Sequence, residues 1–203
     1  MKPLIIIQAR LGSTRLPGKV LMPLLGWSML EFMIQRLIDR LWEDPLIVVA
    51  TPDGQIANLV SEWGADAIIG PEDDVAERFR LALRMYETPT FIRLCADSPL
   101  MDPALIDAAI ALYEPPYLEI RSPVGCVEVC DTKVFLDNLP FMSAHEREHV
   151  TLRLRPAGRT ISVGVGDRLV VDIQEDLDRV RGVVEKMTRP HTEYGWRECV
   201  SLL

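Results

Sequence analysis

The stretch at residues 5–19, which reads IIIQARLGSTRLPGK, decides the fold of this chain. It begins as a short apolar run, which predicts a buried strand, and continues as a polar loop that carries Arg10, Arg15 and Lys19. In open α/β sheets, ligands bind at the carboxyl edge of such a strand. Glycine lets backbone N–H groups approach an oxygen atom closely, and the planar guanidinium of arginine matches the oxygens of a phosphate. The loop therefore predicts a phosphate site, with a solvated basic surface loop as the alternative.

Composition limits the classes of protein to which the chain can belong. Its 203 residues, 48% hydrophobic and 26% charged, are typical of one globular domain, which we place at residues 1–203. A net charge of −8 argues against nucleic acid or an anionic membrane as the main partner. The apolar run that follows Met1, Lys2 and Pro3 is too short for a signal peptide, and no run is long enough to span a membrane. We therefore expect a cytoplasmic protein.

The cysteines give no sign of a disulfide framework or a zinc site. The four residues, none of which form a C-x-x-C pair, are Cys95, Cys126, Cys130 and Cys199. We expect all four to be reduced and mostly buried.

Strand and helix patterns alternate along the rest of the chain. Further strands are predicted at residues 46–50, 66–69 and 90–95, and a capping box from Ser28 to Glu31 opens the first helix. This alternation predicts an α/β fold with a mainly parallel, doubly wound sheet. Parallel crossovers place the carboxyl ends of the strands at one edge. A common cleft is therefore expected at the strand ends, which are Ala9, Thr51, Gly70 and Ala96.

A carboxylate follows the predicted strand at residues 90–95. Asp97 lies in the sequence LCADSPL, and a carboxylate at the cleft edge is suited to hold Mg²⁺ together with substrate phosphates. The alternatives are that Asp97 caps a helix or starts a turn with Ser98 and Pro99. Asp102 followed by Pro103 is the better helix start, because proline suits the first helical position.

The first stretch and the sequence LCADSPLMDP at residues 94–103 together resemble the cytidylyltransferases that activate acidic sugars. These include the 3-deoxy-manno-octulosonate and acylneuraminate cytidylyltransferases, and the resemblance is strongest to the spore-coat polysaccharide SpsF-like branch. It extends over nearly the whole chain, through IGPEDDVAERF, HEREHVT and VVDIQEDLD. The resemblance implies a three-layer α/β/α sandwich with a mainly parallel mixed sheet, the nucleotide-diphosphosugar-transferase fold. It also implies a reaction for surface polysaccharide synthesis: with Mg²⁺, CTP and a sugar hydroxyl give a CMP-sugar and pyrophosphate.

The resemblance assigns roles to residues by their positions. The nucleotide site that it implies comprises Ala9, Arg10, Gly12, Ser13, Arg15, Lys19 and Arg78. Catalytic roles fall to Arg10, Arg15, Lys19 and Asp97. Metal ligands are Asp97 and Asp172, the latter at the end of a strand predicted at residues 169–172. Sugar contacts fall to Glu128, Arg147 and His149. Structural alternatives remain: Asp172 as a helix N-cap, Arg78 as an exposed helix arginine and His149 as a packed residue.

Two positions depart from the pattern of these relatives. Ala96 stands where glycine is usual, and Cys126 stands where an aspartate is expected. A second hypothesis is therefore a nucleotide-binding module of the same fold that has lost turnover. The identity of the acceptor depends on the less regular segment at residues 113–165, which is also where such relatives form homodimers. The apolar residues of this segment pack either against a partner or against the main sheet; they are Leu118, Ile120, Val127 and Val129.

The sequence His145-Glu-Arg-Glu-His149 literally contains H-E-x-x-H, which favours a third hypothesis, a zinc hydrolase. On a helix, its two histidines lie one turn apart. Against this reading, both x positions of the motif, Arg147 and Glu148, are charged. No third ligand follows in VTLRLRPAG. The remaining histidine, His191, lies in a polar tail that begins after Thr188, and we expect this tail to dock on the body or on a neighbour.

Overall fold

The computed structural model describes residues 4–41, 45–164 and 166–203. Within these residues, seven strands form one sheet in the order β5-β4-β1-β6-β8-β7-β9, and a short hairpin, β2–β3, stands apart from it. The sheet strands are β1 (Leu4–Gln8), β4 (Ile47–Thr51), β5 (Asp66–Ile69), β6 (Thr90–Cys95), β7 (Tyr117–Ser122), β8 (Gly125–Asp131) and β9 (Arg159–Ser162). The hairpin strands are β2 (Pro23–Leu24) and β3 (Trp27–Ser28).

Helices cover both faces of the sheet, which gives three layers. One face carries α1 (Met29–Arg40), α2 (Gly54–Glu62), α4 (Pro103–Leu112), α7 (Gln174–Glu185) and α8 (Trp196–Ser201). The other carries α3 (Val75–Met85) and α5 (Thr132–Asn138), with α6 (Ala144–His149) packed beside α3. Alternate side chains of β1 supply the two cores: Ile5 and Ile7 enter the first, and Leu4 and Ile6 enter the second. This double burial explains the uninterrupted apolar run in the sequence.

The strand order places a topological switch point between β1 and β6. From β1 the chain moves outward through β4 to β5, and then returns to pair β6 with the other side of β1. These pairings are all parallel, whereas β8 is antiparallel to both β6 and β7. The expected mainly parallel mixed sheet is confirmed. A crevice opens at such a switch point because the two neighbouring strands connect in opposite directions.

Local signals place the helix starts correctly. In α1, Ser28 Oγ accepts from Glu31 N at 3.2 Å and Ser28 N donates to the Glu31 carboxylate at 3.4 Å, as the capping box predicts. Asp102 caps α4, and Ala104 N donates to its Oδ1 at 2.9 Å. Asp97 therefore does not cap that helix.

The strand predicted at residues 169–172 is wrong. In the described part of the chain, this segment forms no strand of either sheet. Leu169 N donates to Pro123 O and Val171 N donates to Asp97 O, each at 2.8 Å. These two bonds lay the segment across the ends of β6 and the β7–β8 turn. Asp172 is thereby brought beside Asp97.

The segment at residues 113–164 contributes β7, β8 and β9 to the main sheet, and Val165, the last residue of the predicted segment, lies outside the described residues. Four apolar residues of this segment are buried in the core of this chain, at 0–2% exposure: Leu118, Ile120, Val127 and Val129. Of the two alternatives, they therefore pack against the main sheet and not against a partner. The tail docks on the body of the same chain. Arg36 is fully buried and donates to the carbonyls of His191 and Tyr194, while Trp196 N donates to Asp102 Oδ2 at 2.7 Å.

The cysteines are all free thiols, as expected, but only Cys130 and Cys199 are buried. Cys95 is half-buried and Cys126 is exposed, so the expectation of mostly buried cysteines was too broad. Within the described ranges, the helices are too short or too polar to cross a membrane.

Candidate active site

A cleft of about 380 Å³ opens at the switch point between β1 and β6. Its walls come from five parts of the chain: the loop after β1, the end of β6, α3, the end of α6 and the segment before α7. Of the strand ends expected to meet there, Ala9 and Ala96 line the cleft, whereas Thr51 and Gly70 lie at the same edge outside its wall. The site residues predicted from sequence that do line it are Ala9, Arg10, Ser13, Arg15, Lys19, Arg78, Asp97, His149 and Asp172.

The loop after β1 is held by its own backbone and by one distant carboxylate. Ser13 N and Gly18 N both donate to Leu11 O, at 2.8 and 2.9 Å, and Leu11 N donates to Asp53 Oδ2 at 2.8 Å. Gly18 has a positive φ of 70°, a conformation that costs glycine little. It leads directly into the 3₁₀ turn Lys19–Leu21, which directs the side chain of Lys19 into the cleft.

The centre of the cleft is an ion cluster built around Lys19. Its Nζ donates to Val171 O at 2.6 Å and to Asp172 Oδ1 at 3.2 Å, and lies 3.9 Å from Asp97 Oδ2. Arg15 Nη2 approaches Asp172 Oδ1 at 2.9 Å from the solvent side, with its own side chain 62% exposed. The two carboxylates that the resemblance paired thus face one ammonium group, next to the cationic loop.

The alternative role of Asp172 as a helix N-cap is wrong. The N-cap of α7 is Ile173, and the Asp176 carboxylate accepts from the amides of Asp172 and Ile173 at 3.0 and 3.2 Å. Because Asp176 satisfies these amides, the Asp172 side chain is left to the cleft. Two carboxylates that share one cation in a polar cleft are a donor set that fits Mg²⁺, and the ammonium of Lys19 shows that the position between them accepts positive charge.

The surroundings of Asp97 disfavour its charged form. Burial raises the pKa of Asp97, and the nearby negative charge of Asp172 raises it further, while Lys19 and a hydrogen bond from Ser98 Oγ at 3.0 Å oppose the shift. The opposing contacts do not cancel the effect of burial. A further cation at this position would therefore stabilise the ionised carboxylate.

Arg78 lies at the base of the cleft and is only 1% exposed, so the alternative of an exposed helix arginine is wrong. Its Nη1 donates to Pro71 O at 2.5 Å and Glu72 O at 3.0 Å, and within the described residues its Nε has no partner. A Cβ on Gly70 would approach Arg78 Cγ at 2.9 Å, so the glycine makes room for the side chain. A buried donor without a protein partner is costly, so a water molecule or a ligand group is needed to satisfy it.

Glu128 does not line the cleft. It is 2% exposed and accepts from Arg93, Tyr117 Oη, Thr151 Oγ1 at 2.6 Å and Arg155 Nη2 at 3.0 Å. Direct contact between Glu128 and a sugar is therefore not supported by its position. Arg93, by contrast, lines the cleft, with Nε donating to Gln8 Oε1 at 3.0 Å. Sequence reasoning missed this network, although a lone charge inside each of the apolar strands FIRLC and CVEVC signalled that a buried partner was required.

Three other predicted residues occupy different positions. Arg147 turns away from the cleft, because its Nε pairs with Asp74 Oδ2 at 2.7 Å and its Nη1 donates to Leu139 O at 3.0 Å. It ties α6 to the start of α3 and is not placed to touch a sugar. Gly12 is part of the loop but not of the cleft wall. His149 does line the cleft, and partial burial together with nearby His145 lowers its pKa.

Comparisons with known proteins identify the family and the fold of this chain. The model of the cytidylyltransferase family matches residues 4–132. Spore coat polysaccharide biosynthesis protein SpsF of Bacillus subtilis is 29% identical over 208 residues, covering 90% of this chain and 86% of that protein. A solved cytidylyltransferase from Leptospira borgpetersenii shares the fold with a TM-score of 0.87 and 23% identity, covering 100% of this chain and 93% of its own. A CMP:2-keto-3-deoxy-manno-octonic acid synthetase complexed with CTP has a TM-score of 0.71 and 21% identity, covering 92% and 99%.

Proposed function

This chain belongs to the cytidylyltransferase family, and from that membership we propose that it transfers CMP from CTP to a hydroxyl group of an acidic sugar. Pyrophosphate is released, and the CMP-sugar serves the synthesis of a surface polysaccharide. The observation that carries the proposal is that Lys19 lies between Asp97 and Asp172 in the same cleft as Arg10 and Arg15. This arrangement provides cations for a triphosphate and carboxylates for its counter-ion.

The residues of the loop after β1 bind the triphosphate. Arg10 and Arg15 are half-exposed and can turn towards phosphate oxygens, with which a guanidinium forms paired, charge-assisted hydrogen bonds. Lys19 moves a short distance from Asp172 to the phosphates when they arrive. The sugar oxygen bonds to the α-phosphorus, its proton passes to water, and the bond to pyrophosphate breaks. These cations neutralise the charge on the leaving group. The protein thus contributes positioning and charge and forms no covalent bond to the substrate.

Asp97 and Asp172 are the residues that would hold Mg²⁺. When bound, Mg²⁺ supplies Lewis-acid polarisation of the phosphoryl group and makes the attacking hydroxyl more acidic. The raised pKa of Asp97 fits this assignment, because its ionised form lacks full compensation in the protein alone. Lys19 holds the two carboxylates near each other until the nucleotide arrives.

The base and the sugar meet different walls of the cleft. Arg78 lines the wall that we assign to the cytosine, and the carbonyl of Ala9 is the backbone group available to the base, since Ala9 N already donates to Ala50 O at 3.2 Å. The sugar enters past His149, which lines the cleft at the end of α6.

A screen of nucleotides against sugar acids tests the proposal. Melting temperature is measured with Mg²⁺ and each nucleoside triphosphate, because a ligand of the native state raises it by mass action. Pyrophosphate release is then measured with CTP and a panel of sugar acids. We expect stabilisation by CTP above the other triphosphates, and release that depends on one class of sugar acid. Stabilisation by CTP without turnover across the panel would instead favour the nucleotide-binding module.

A further inference from the structure

A second group of metal-binding side chains lies at the rim of the cleft, on helix α6. His145, Glu148 and His149 each offer one ligand atom, and these atoms all lie within 4.8 Å of one another. The two imidazole rings are in edge-to-face contact, with centroids 4.5 Å apart. We propose that these three side chains bind one divalent metal cation that prefers imidazole and carboxylate ligands, such as Zn²⁺. This site is separate from Asp97 and Asp172.

The spacing of the three residues makes this site possible. Positions i, i+3 and i+4 of a helix project from one face, so His145 lies next to both of the other ligands. All three side chains are exposed, so they can rotate to the Zn–N distance of about 2.0–2.1 Å without displacing core residues. Two imidazoles and one carboxylate are also the ligand types of many protein zinc sites.

Glu148 is the third ligand, and it lies inside the motif, between the two histidines, and not beyond His149. The other glutamate, Glu146, occupies the position that a zinc hydrolase uses for its general base. Here its carboxylate accepts from Ser143 N at 2.8 Å and pairs with Arg153 at 3.3 Å. The helix therefore presents a metal-binding face whose glutamate base is already engaged, which argues against a hydrolase.

A strained turn fixes His149 at the mouth of the cleft. Val150 is fully buried and has φ 57° and ψ −60°, and Thr151 N donates to His149 O at 2.6 Å. These values describe a γ-turn with positive φ, which is rare and costly for a β-branched residue. Such strain persists only where the surrounding structure holds it. Thr151 supplies that hold, because its hydroxyl donates to the buried Glu128 at 2.6 Å.

The position of the site connects it to the cleft. Three protein ligands leave a fourth position of a tetrahedral cation open, and His149 and Glu148 both line the cleft. An oxygen of water or of an anionic substrate can complete the coordination. Glu148 now pairs with Arg10 at 3.8 Å, a weak contact between exposed groups, and coordination would release Arg10 to the cleft.

Titration of metal-free protein with Zn²⁺ against a chromophoric chelator, without nucleotide, tests the site. We expect one Zn²⁺ per chain, and an affinity at least about tenfold lower in both His145→Ala and Glu148→Gln, since each removes a ligand. Glu146→Gln is the matched control, because it makes the same charge change on the same helix and glutamine can still serve in the capping box. It should bind Zn²⁺ as the wild type does, and circular dichroism should show all three variants folded.

Two further measurements complete the test. Asp172→Asn should retain the Zn²⁺ site, and Co²⁺ should give the visible absorption of a tetrahedral centre that His145→Ala loses. Fewer than one Zn²⁺ per chain, equal affinity in His145→Ala, or loss of the site in Asp172→Asn would each overturn the proposal. Neither CTP nor Mg²⁺ takes part in these measurements, so their outcome is independent of the proposed CMP transfer.

Discussion

Asp97 in the cleft and Glu128 on the neighbouring strand β8 are both withdrawn from solvent, yet their carboxylates have opposite surroundings. Burial opposes the charge of both. For Glu128, contacts from Arg93, Thr151, Tyr117 and Arg155 outweigh burial and lower its pKa to about 2. For Asp97, Lys19 and Ser98 do not outweigh it, and the pKa stays above its ordinary value.

The difference distinguishes a structural charge from a functional one. The network around Glu128 is closed, because each carboxylate oxygen accepts from at least one donor of the same chain. The cluster around Asp97 is open to the cleft, and the Asp97 side chain keeps 28% of its exposure. A carboxylate left partly uncompensated at a cleft is poised to bind a cation or a proton, and it costs stability for as long as neither is bound.

The largest expected effect is that of Asp97→Asn. Loss of one carboxylate ligand should reduce CMP transfer by about 10²–10³-fold or more. Because the folded-state pKa of Asp97 is raised, its ionised form lowers the free energy of unfolding at pH above that pKa, and the neutral amide removes this cost. Thermal unfolding at pH 7.5 should therefore give a melting temperature equal to or above that of the wild type.

Asp107→Asn, at an exposed position on α4, is the matched control for activity and should leave CMP transfer unchanged. A fully active Asp97→Asn variant would remove Asp97 from the mechanism. An unfolded Asp97→Asn variant would mean that the Asp97 carboxylate, like that of Glu128, is needed for the fold.

Glu128→Gln should lower the stability of the fold, whereas Asp97→Asn should not. Removing one partner of a buried ion pair leaves Arg93 uncompensated and should lower the free energy of unfolding by about 3–5 kcal/mol. Urea denaturation measures this loss. In the wild type the contribution of Glu128 is present above its unfolded-state pKa and is lost as pH falls towards about 2. Wild-type stability in Glu128→Gln would show that the two carboxylates do not differ as described.

Arg15→Ala should have a moderate effect that is confined to the nucleotide. Loss of one charge-assisted phosphate contact, at about 1.5–3 kcal/mol, corresponds to CTP binding weaker by about 10–100-fold, measured by calorimetry. Arg181→Ala, on the exposed face of α7, makes the same charge change and should leave CTP affinity unaltered. Equal CTP affinity in Arg15→Ala and Arg181→Ala would contradict the role assigned to the loop.

The smallest expected effect is a shift in the pKa of Asp97 when Asp172 is replaced. Carboxyl NMR of the wild type should show Asp97 titrating above the ordinary aspartate range, because of burial and the charge of Asp172. In Asp172→Asn, the midpoint should move to lower pH, since a neighbouring negative charge is gone and Lys19 is freed to approach Asp97. A midpoint that moves upward would show that the two carboxylates do not share one electrostatic site.

The sequence by itself determined the elements whose causes are local. The apolar run before Gln8 predicted a strand buried on both faces, and short-range capping at Ser28 and Asp102 predicted where two helices begin. The cationic loop was also readable, because its residues lie within one short stretch. The one predicted strand that failed, at residues 169–172, has the right composition but no neighbouring strand to pair with.

Only the tertiary structure decided which distant charges meet. Lys19 and Asp172 are 153 residues apart, and their contact depends on the strand order and on two backbone bonds that lay the segment before α7 across the sheet edge. Likewise, Arg93 pairs with Glu128 because of the antiparallel register between β6 and β8. Secondary-structure propensity depends on residues a few positions apart in sequence. Pairing across a sheet depends instead on how all of its strands are ordered and aligned. The composition of the loop therefore followed from sequence, and its carboxylate partners followed from the fold.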